Sequence, residues 1–125
     1  MVWWRRAGPE ASARGAHAED AALRLLAGAG LQLVARNFRC RGGELDLVML
    51  DGRTLVVVEV RARGSAGFAS AAESVDARKQ ARIVRATQLF VAAQPEHAQR
   101  AIRFDVVAFD GAGHPDWIRA AFDAG

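Results

Sequence analysis

Cysteine is almost absent from this chain, since Cys40 is the only one among 125 residues. A single thiol cannot form an internal disulfide, and three scattered histidines (His17, His97 and His114) do not have the spacing of a zinc site. Long hydrophobic runs are absent too: stretches such as 55–58 are far too short to span a bilayer. The first residues also lack the apolar core of a secretory signal. These absences predict a cytoplasmic protein with a reduced thiol.

Lysine and tyrosine are equally scarce. Lys79 is the only lysine among seventeen basic residues, and there is no tyrosine beside the six phenylalanines. The excess of arginine suits a nucleic-acid partner, because its rigid fork of donors matches phosphate, but codon bias in a GC-rich genome also explains it. The scarcity of aromatic residues disfavours recognition of single-stranded RNA by base stacking. The modest net charge of +3 does not decide between these explanations.

The order of the predicted elements indicates one α/β domain preceded by an arm. Gly8-Pro9 marks a break, so residues 1–12 are expected to form a flexible N-terminal arm and residues 13–125 a single domain. Apolar spacing and capping signals predict helices over 18–29 and 76–94. Strands are predicted at 31–38, 43–50, 53–63 and 102–109, and a closing element of undetermined type at 117–122. The order α-β-β-β-α-β predicts a mixed β-sheet flanked by helices.

Acidic residues gather on one face of the second and third predicted strands. Because side chains alternate along a strand, Glu44 and Asp46 share a face, and Glu59 lies on the same side of the next strand. Asp51-Gly52 is a strong hairpin signal. A two-residue turn there predicts that Glu44 lies opposite Glu59 and that Asp46 lies opposite Val57.

Such a cluster is costly unless it has a partner. Like charges across a sheet repel, and a carboxylate inside an apolar run loses its hydration. A hard divalent cation such as Mg²⁺ would relieve both costs and could activate water for attack on a phosphodiester. Alternatively, Glu59 pairs with a neighbouring arginine and Asp46 faces solvent. The residues alone leave both interpretations open.

Several separated segments resemble the bacterial YraN family, also called UPF0102, in sequence and spacing from about residue 12 to Phe122. They are Gly15-Ala16-His17-Ala18-Glu19-Asp20-Ala21-Ala22, Arg36-Asn37-Phe38-Arg39, Gly43-Glu44-Leu45-Asp46-Leu47, Val57-Val58-Glu59-Val60-Arg61-Ala62-Arg63 and Arg103-Phe104-Asp105-Val106-Val107. The resemblance implies a restriction-endonuclease-like fold with the PD-(D/E)XK pattern, as in archaeal Holliday-junction resolvases. It further implies a nucleic-acid-binding endonuclease that uses Mg²⁺ or Mn²⁺ on branched or structured DNA, and by analogy a homodimer.

Carried onto this chain, the resemblance makes Asp46 and Glu59 catalytic acids and metal ligands, and Glu19 the third ligand. Glu44 would support the site. Taken without the family, Glu19 is better explained as the solvated edge of a helix than as a ligand. Arg61 stands where the pattern has lysine. It can clamp a phosphate and stabilise transition-state charge, but it cannot act as a base.

Lys79 matches a lysine of the family and has two interpretations. Either it reaches the acidic cluster and takes over the activation of water, or it belongs to a basic helix face that contacts the nucleic-acid backbone. The arginines expected to grip that backbone are Arg36, Arg39, Arg41, Arg63, Arg78, Arg82 and Arg85.

Three functions therefore stay open at this point. The first is a metal-dependent nuclease, and the second is a nucleic-acid-binding module that does not cleave because of Arg61. The third is a protein-interaction domain that uses Trp3-Trp4 or the segment near Trp117 as its contact surface.

Overall fold

The computed structural model describes residues 13–64 and 74–124, and within these ranges it confirms a mixed α/β architecture. The elements are α1 (Ala13–Gly28), β1 (Gln32–Cys40), β2 (Gly43–Asp51), β3 (Thr54–Gly64), α2 (Ala77–Ala93), a single 3₁₀ turn (Pro95–His97), β4 (Ile102–Asp110) and β5 (Pro115–Phe122). The closing element whose type the sequence left undetermined is the strand β5. The predicted N-terminal arm, residues 1–12, lies outside the described residues.

The five strands form one sheet in the order β1-β2-β3-β4-β5. Strands β3 and β4 are parallel because α2 carries the chain across the sheet between them, whereas the other neighbouring pairs are antiparallel. No helix in the described ranges is long and apolar enough to cross a membrane.

The two helices cover opposite faces of the sheet and bury separate cores. On the α1 side, Ala22 and Leu26 pack with Leu47 and Val58, all fully buried. On the α2 side, Phe90 contacts Phe38 edge to face, with ring centroids 5.2 Å apart. Burial of each large apolar side chain contributes roughly 1.5–3 kcal/mol, so the central strands, which are covered on both faces, are the most firmly held.

The predicted register of the β2–β3 hairpin is wrong by two residues. Leu50 pairs with Leu55 and Asp51 with Thr54, so the turn is Gly52-Arg53. Gly52 has φ 61° at the first turn position, where a type II′ turn requires glycine. A shift of two residues preserves the faces of both strands but changes the partners of each acidic residue.

Strand β1 contains a left-handed residue beside the acidic cluster. Asn37 has φ 56°, and it lies between the pairs Arg36–Leu47 and Phe38–Leu45. Asparagine is one of the few residues other than glycine that tolerate this conformation. Leu45 consequently joins the α2-side core while Leu47 joins the α1-side core, although strict alternation would place them on one face. The regular alternation predicted for β2 is therefore interrupted at Asp46.

Candidate functional site

Asp46 lies where the ladder between β2 and β3 comes to an end. The last backbone pair in that direction is Leu47 with Val58. One residue further, Oδ2 of Asp46 accepts a hydrogen bond from the backbone N–H of Val60 at 2.8 Å. The side chain thus takes the place of a backbone carbonyl in the sheet, which fixes its carboxylate between the two strands.

This position brings Asp46 next to Glu59, the second predicted acid, whose charge acts on it. Glu59 is only 5% exposed. Burial raises the pKa of Asp46 well above its usual range of about 3.8, and the neighbouring Glu59 charge raises it further. Two carboxylates this close favour a state in which one of them holds a proton. We call these two residues the acid pair.

Two cationic side chains meet the acid pair at the same oxygen. Arg61 Nη1 lies 3.5 Å from Glu59 Oε2, and Lys79 Nζ lies 3.6 Å from that atom. Lys79 reaches it from α2, because Asp76 caps this helix by accepting the Lys79 backbone N–H at 2.8 Å and so fixes its first turn over the sheet. Lys79 therefore does reach the acidic cluster; a role in activating water stays a prediction.

Glu19 approaches the acid pair from the α1 side. Burial raises the pKa of Glu19, and the Asp46 charge adds to this, while hydrogen bonds from Asn37 and Arg36 act in the opposite direction. The Arg36 Nε atom lies 3.4 Å from Glu19 Oε1. Glu19 is therefore close enough to Asp46 to affect its charge, but its carboxylate already has basic and amide partners.

The predicted set of three metal ligands is not assembled in the structure. In the described part of the chain, no three side chains of His, Cys, Asp or Glu come together in a group that could hold a metal ion. The acid pair nevertheless offers hard oxygen donors. Mg²⁺ binds through one or two carboxylates and completes its shell with water and substrate phosphate oxygens. The donor chemistry of Asp46 and Glu59 fits that mode.

Glu44 and Arg36 each have an ion-pair partner of their own. Arg39 Nε lies 3.4 Å from Glu44 Oε2, and both side chains are partly exposed. The Glu44 charge makes a smaller upward contribution to the pKa of Asp46. Arg36 contacts Asp20 at 2.6 Å in addition to Glu19, and it lowers the pKa of Asp20. Arg36 is thus held between β1 and α1 rather than directed outward.

A cleft of about 530 Å³ opens between the β1–β2 turn and α2. Its lining residues are Arg39, Cys40, Gly42, Gly43, Glu44, Lys79, Arg82 and Ile83. Gly43 permits this approach, because a Cβ atom there would lie 2.8 Å from the Arg82 backbone oxygen. Burial raises the pKa of the Cys40 thiol in the wall of the cleft. Sequence reasoning missed the role of Gly43, although a glycine directly after a turn is a signal for close backbone contact.

The remaining predicted arginines are distributed around this cleft. Arg78, Arg82 and Arg85 are exposed on α2, and Arg41 is exposed in the β1–β2 turn. Arg63 belongs to β3, but its side chain lies outside the described residues. Sequence reasoning also missed Asn37, whose side chain bonds to Glu19 and whose backbone bends β1 beside Asp46.

A five-stranded mixed sheet with one helix on each face, in the order α-β-β-β-α-β-β, places the chain in the class of mixed α/β domains. Sequence comparison then places the chain more narrowly. The model of the uncharacterised protein family UPF0102 matches residues 18–109, and the chain belongs to this family.

Relatives from several bacteria are similar to this chain over most of its length. A UPF0102 protein of Pseudomonas entomophila strain L48 is 53% identical over 116 residues, which cover 90% of this chain and 94% of the relative. A UPF0102 protein of Pseudomonas putida strain GB-1 is 54% identical over 113 residues, covering 87% and 92%. A UPF0102 protein of Bordetella avium strain 197N is 54% identical over 111 residues, covering 89% and 75%.

Proposed function

We propose that this protein is a metal-dependent, nucleic-acid-binding hydrolase of the endonuclease type, acting on phosphodiesters of structured DNA. The observation that carries the proposal is the acid pair, which joins half-buried Asp46 to buried Glu59 at the end of the β2–β3 ladder and is contacted by Arg61 and Lys79 at one Glu59 oxygen. Paired carboxylates beside two cationic side chains form a site that suits both a divalent ion and a phosphate.

The energetic cost of the acid pair supports a bound cation. The pKa of Asp46 is raised because its carboxylate is desolvated next to another carboxylate, so keeping both charged lowers the stability of the fold. Mg²⁺ or Mn²⁺ held by Asp46 and Glu59 would offset that repulsion. When bound, such an ion supplies a coordinated water of lowered pKa and an electrophile for the phosphate oxygens.

Arg61 and Lys79 fit different tasks in this arrangement. The guanidinium group of Arg61 stays charged and presents a fork of donors suited to a phosphate, so it can hold the scissile group and stabilise developing negative charge. Lys79 carries a compact ammonium group on a flexible stem and occupies the space over Glu59 that faces the cleft. We assign it the role of positioning Glu59 and the incoming phosphate.

Calorimetric titration with Mn²⁺ and Mg²⁺ tests the metal site. We expect the parent protein to bind and both Asp46→Asn and Glu59→Gln to lose binding, because each removes one anionic oxygen ligand. Glu96→Gln, an exposed acid in the 3₁₀ turn far from the site, is the matched control and should bind like the parent. Absence of binding by the parent protein would refute the metal site.

Cleavage of junction, flap and linear DNA with Mn²⁺ tests the reaction. Lys79→Ala and Asp46→Asn should each abolish cleavage, and Arg61→Lys should retain or increase it, since lysine can also orient the attacking water. Unchanged cleavage in Lys79→Ala would contradict the role given to Lys79.

A second candidate function is a nucleic-acid-binding module without cleavage, and Arg61 is the observation that favours it. Because Arg61 cannot take up a proton, the acid pair would then hold an ion and a phosphate without completing hydrolysis. Binding of DNA that weakens steeply with salt, together with no cleavage by the parent and cleavage gained in Arg61→Lys, would identify this function.

A further inference from the structure

Four arginines without a carboxylate partner lie close together on one surface of the molecule. Arg78, Arg82 and Arg85 follow one another along α2 at spacings of four and three residues, which places them on one helix face. Arg41 lies in the adjoining β1–β2 turn. A Cβ atom added at Gly42 of this turn would lie 3.9 Å from Arg85 Nε, so the turn lies beside α2. Among the residues that the structure describes, none of these four has a carboxylate within salt-bridge distance. We call them the arginine surface.

Most of the other arginines that the structure describes have a partner among their neighbours. Those with a carboxylate partner are Arg36, Arg39, Arg61 and Arg103. Arg119 stacks over the Trp117 ring at 3.8 Å, and Arg100 bonds to His97 and to the Arg53 carbonyl. Among the arginines that the structure describes, Arg24 and Arg53 also lack such a partner but lie apart from each other, whereas the four of the arginine surface lie together where α2 meets the turn.

The arginine surface borders the cleft, and the cleft borders the acid pair. Lys79 and Arg82 line the α2 wall of the cleft, while Arg39 lines the opposite wall. Lys79 also contacts Glu59 at 3.6 Å. A negatively charged chain lying in the cleft would therefore meet Lys79 at the end nearest to Asp46 and Glu59.

We propose that the cleft and the arginine surface bind the sugar–phosphate backbone of a nucleic-acid duplex and hold the adjoining phosphodiester against the acid pair. This inference rests on the proposed function and specifies its substrate as double-stranded at the binding surface. None of the described residues that line the cleft is aromatic, so these side chains offer no platform on which unpaired bases could stack. Exposed guanidinium groups contact phosphates instead, and such contacts do not depend on base sequence.

Fluorescence anisotropy with a short labelled duplex tests this assignment. The titrations are made in EDTA at several salt concentrations, so that neither metal binding nor cleavage contributes. We expect Arg82→Gln and Arg85→Gln each to reduce the slope of log K against log salt by about 0.9, the value for one lost phosphate contact. Arg24→Gln and Arg53→Gln remove the same charge from α1 and from the β2–β3 turn, and they should leave the slope unchanged.

Three results would overturn the inference. An equal loss in the control variants would mean that only net charge matters. A single strand of the same length that binds as tightly as the duplex would remove the double-stranded specificity. Binding to vesicles of anionic phospholipid without binding to the duplex would assign the surface to a membrane.

The same variants separate this inference from the proposed function. Arg82→Gln should bind Mn²⁺ like the parent, whereas Asp46→Asn should lose Mn²⁺ and keep duplex binding in EDTA. Mn²⁺ binding without duplex binding would refute the inference alone. Duplex binding without Mn²⁺ binding would refute the metal site alone.

Discussion

Asp105 shows how a single carboxylate can hold an edge strand in place. It lies in the apolar strand β4, is fully buried, and accepts hydrogen bonds from four donors. Two come from Arg103 at 2.9 and 3.0 Å, one from Trp117 Nε1 at 3.0 Å, and one from the Ala120 backbone N–H at 3.0 Å. Ala120 has φ 52°, and the β4–β5 register shifts near this point. Asp105 thus satisfies the backbone where β5 departs from regular pairing.

We expect Asp105→Ala to lower the free energy of unfolding by about 3 kcal/mol, since truncating one partner of a buried ion pair typically costs 3–5 kcal/mol. The lower end applies because Arg103 keeps Asp51 as a second partner at 2.9 Å. Urea denaturation followed by Trp fluorescence measures the change. Glu96→Ala, which removes an exposed carboxylate in the 3₁₀ turn, serves as the control. A loss no larger than that of the control would contradict this role.

The sequence contained the signals for some individual residues but not for their partners. Glu59 was identified because an acid inside an apolar run requires compensation, and it is buried with two cations. Asp105 has the same signal, but two of its four donors, Trp117 Nε1 and the Ala120 backbone N–H, come from β5, an element whose type the sequence left open. The Lys79–Glu59 contact depends on the packing of α2 over the sheet, which no local pattern fixes.

At the scale of the elements, the contact between α2 and the β1–β2 turn depends on Gly43. A Cβ atom there would lie 2.8 Å from the Arg82 carbonyl oxygen and 3.4 Å from Ala86 Cβ. The obstacle is helix backbone, which cannot rotate away as a side chain can. The whole helix would have to move, and Lys79 would move with it.

Gly43→Ala should therefore destabilise the fold by about 1–3 kcal/mol, the usual cost of overpacking, and weaken Mn²⁺ binding through the displaced helix. Thermal unfolding and calorimetry provide the two measurements. Gly15→Ala in α1 is the matched control, because nothing lies within 4 Å of its added Cβ atom. This control should be neutral or stabilising, as alanine is favoured over glycine in helices by up to about 1 kcal/mol. If Gly43→Ala were as stable as Gly15→Ala, the β1–β2 turn could move away from α2 without cost, and this prediction would be wrong.

Element types were more predictable than element register. Periodicity gave the two helices and the order of the strands, because it reflects which faces are buried. The hairpin register failed because both Asp51-Gly52 and Gly52-Arg53 offer a glycine-containing turn, and the paired Asp51–Thr54 selects the second. The interruption of the regular strand at Asn37 was not predicted either, because it is caused by a single backbone angle that does not change the spacing of apolar residues in the sequence.

For the molecule as a whole, the acid pair makes stability depend on pH. A carboxyl group whose pKa is raised on folding binds its proton more tightly in the folded state than in the unfolded state. Its favourable contribution is complete below the unfolded pKa and is lost as the pH rises through the folded pKa. Asp46 and Glu19 both behave in this way, so they lower stability in neutral solution.

Asp46→Asn should consequently be more stable than the parent at neutral pH, by about 1.4 kcal/mol for each unit by which the pKa is raised. The amide oxygen can still accept the Val60 N–H, so only the charge is removed. Urea denaturation across a pH series should show the advantage shrinking as the pH falls toward 3.8, the ordinary value for this residue. Asp20→Asn is the control of opposite sign, because Arg36 lowers the pKa of Asp20. If the free energies of unfolding of Asp46→Asn and the parent differed by the same amount at all pH values, the raised pKa of Asp46 would not be the cause of the difference.

The position of Lys79 after the crossover affects the order in which the molecule can assemble. Asp46 and Glu59 belong to one hairpin, and a hairpin can form within microseconds from local contacts. Lys79 reaches Glu59 only once α2 has docked, and α2 leads to the parallel pairing of β3 with the distant β4. Non-local pairings of this kind form late because the entropy of closing a long loop must be overcome first. The folding chain therefore brings Asp46 and Glu59 together with Arg61 as their cation before it acquires Lys79, the second cation at the same Glu59 oxygen.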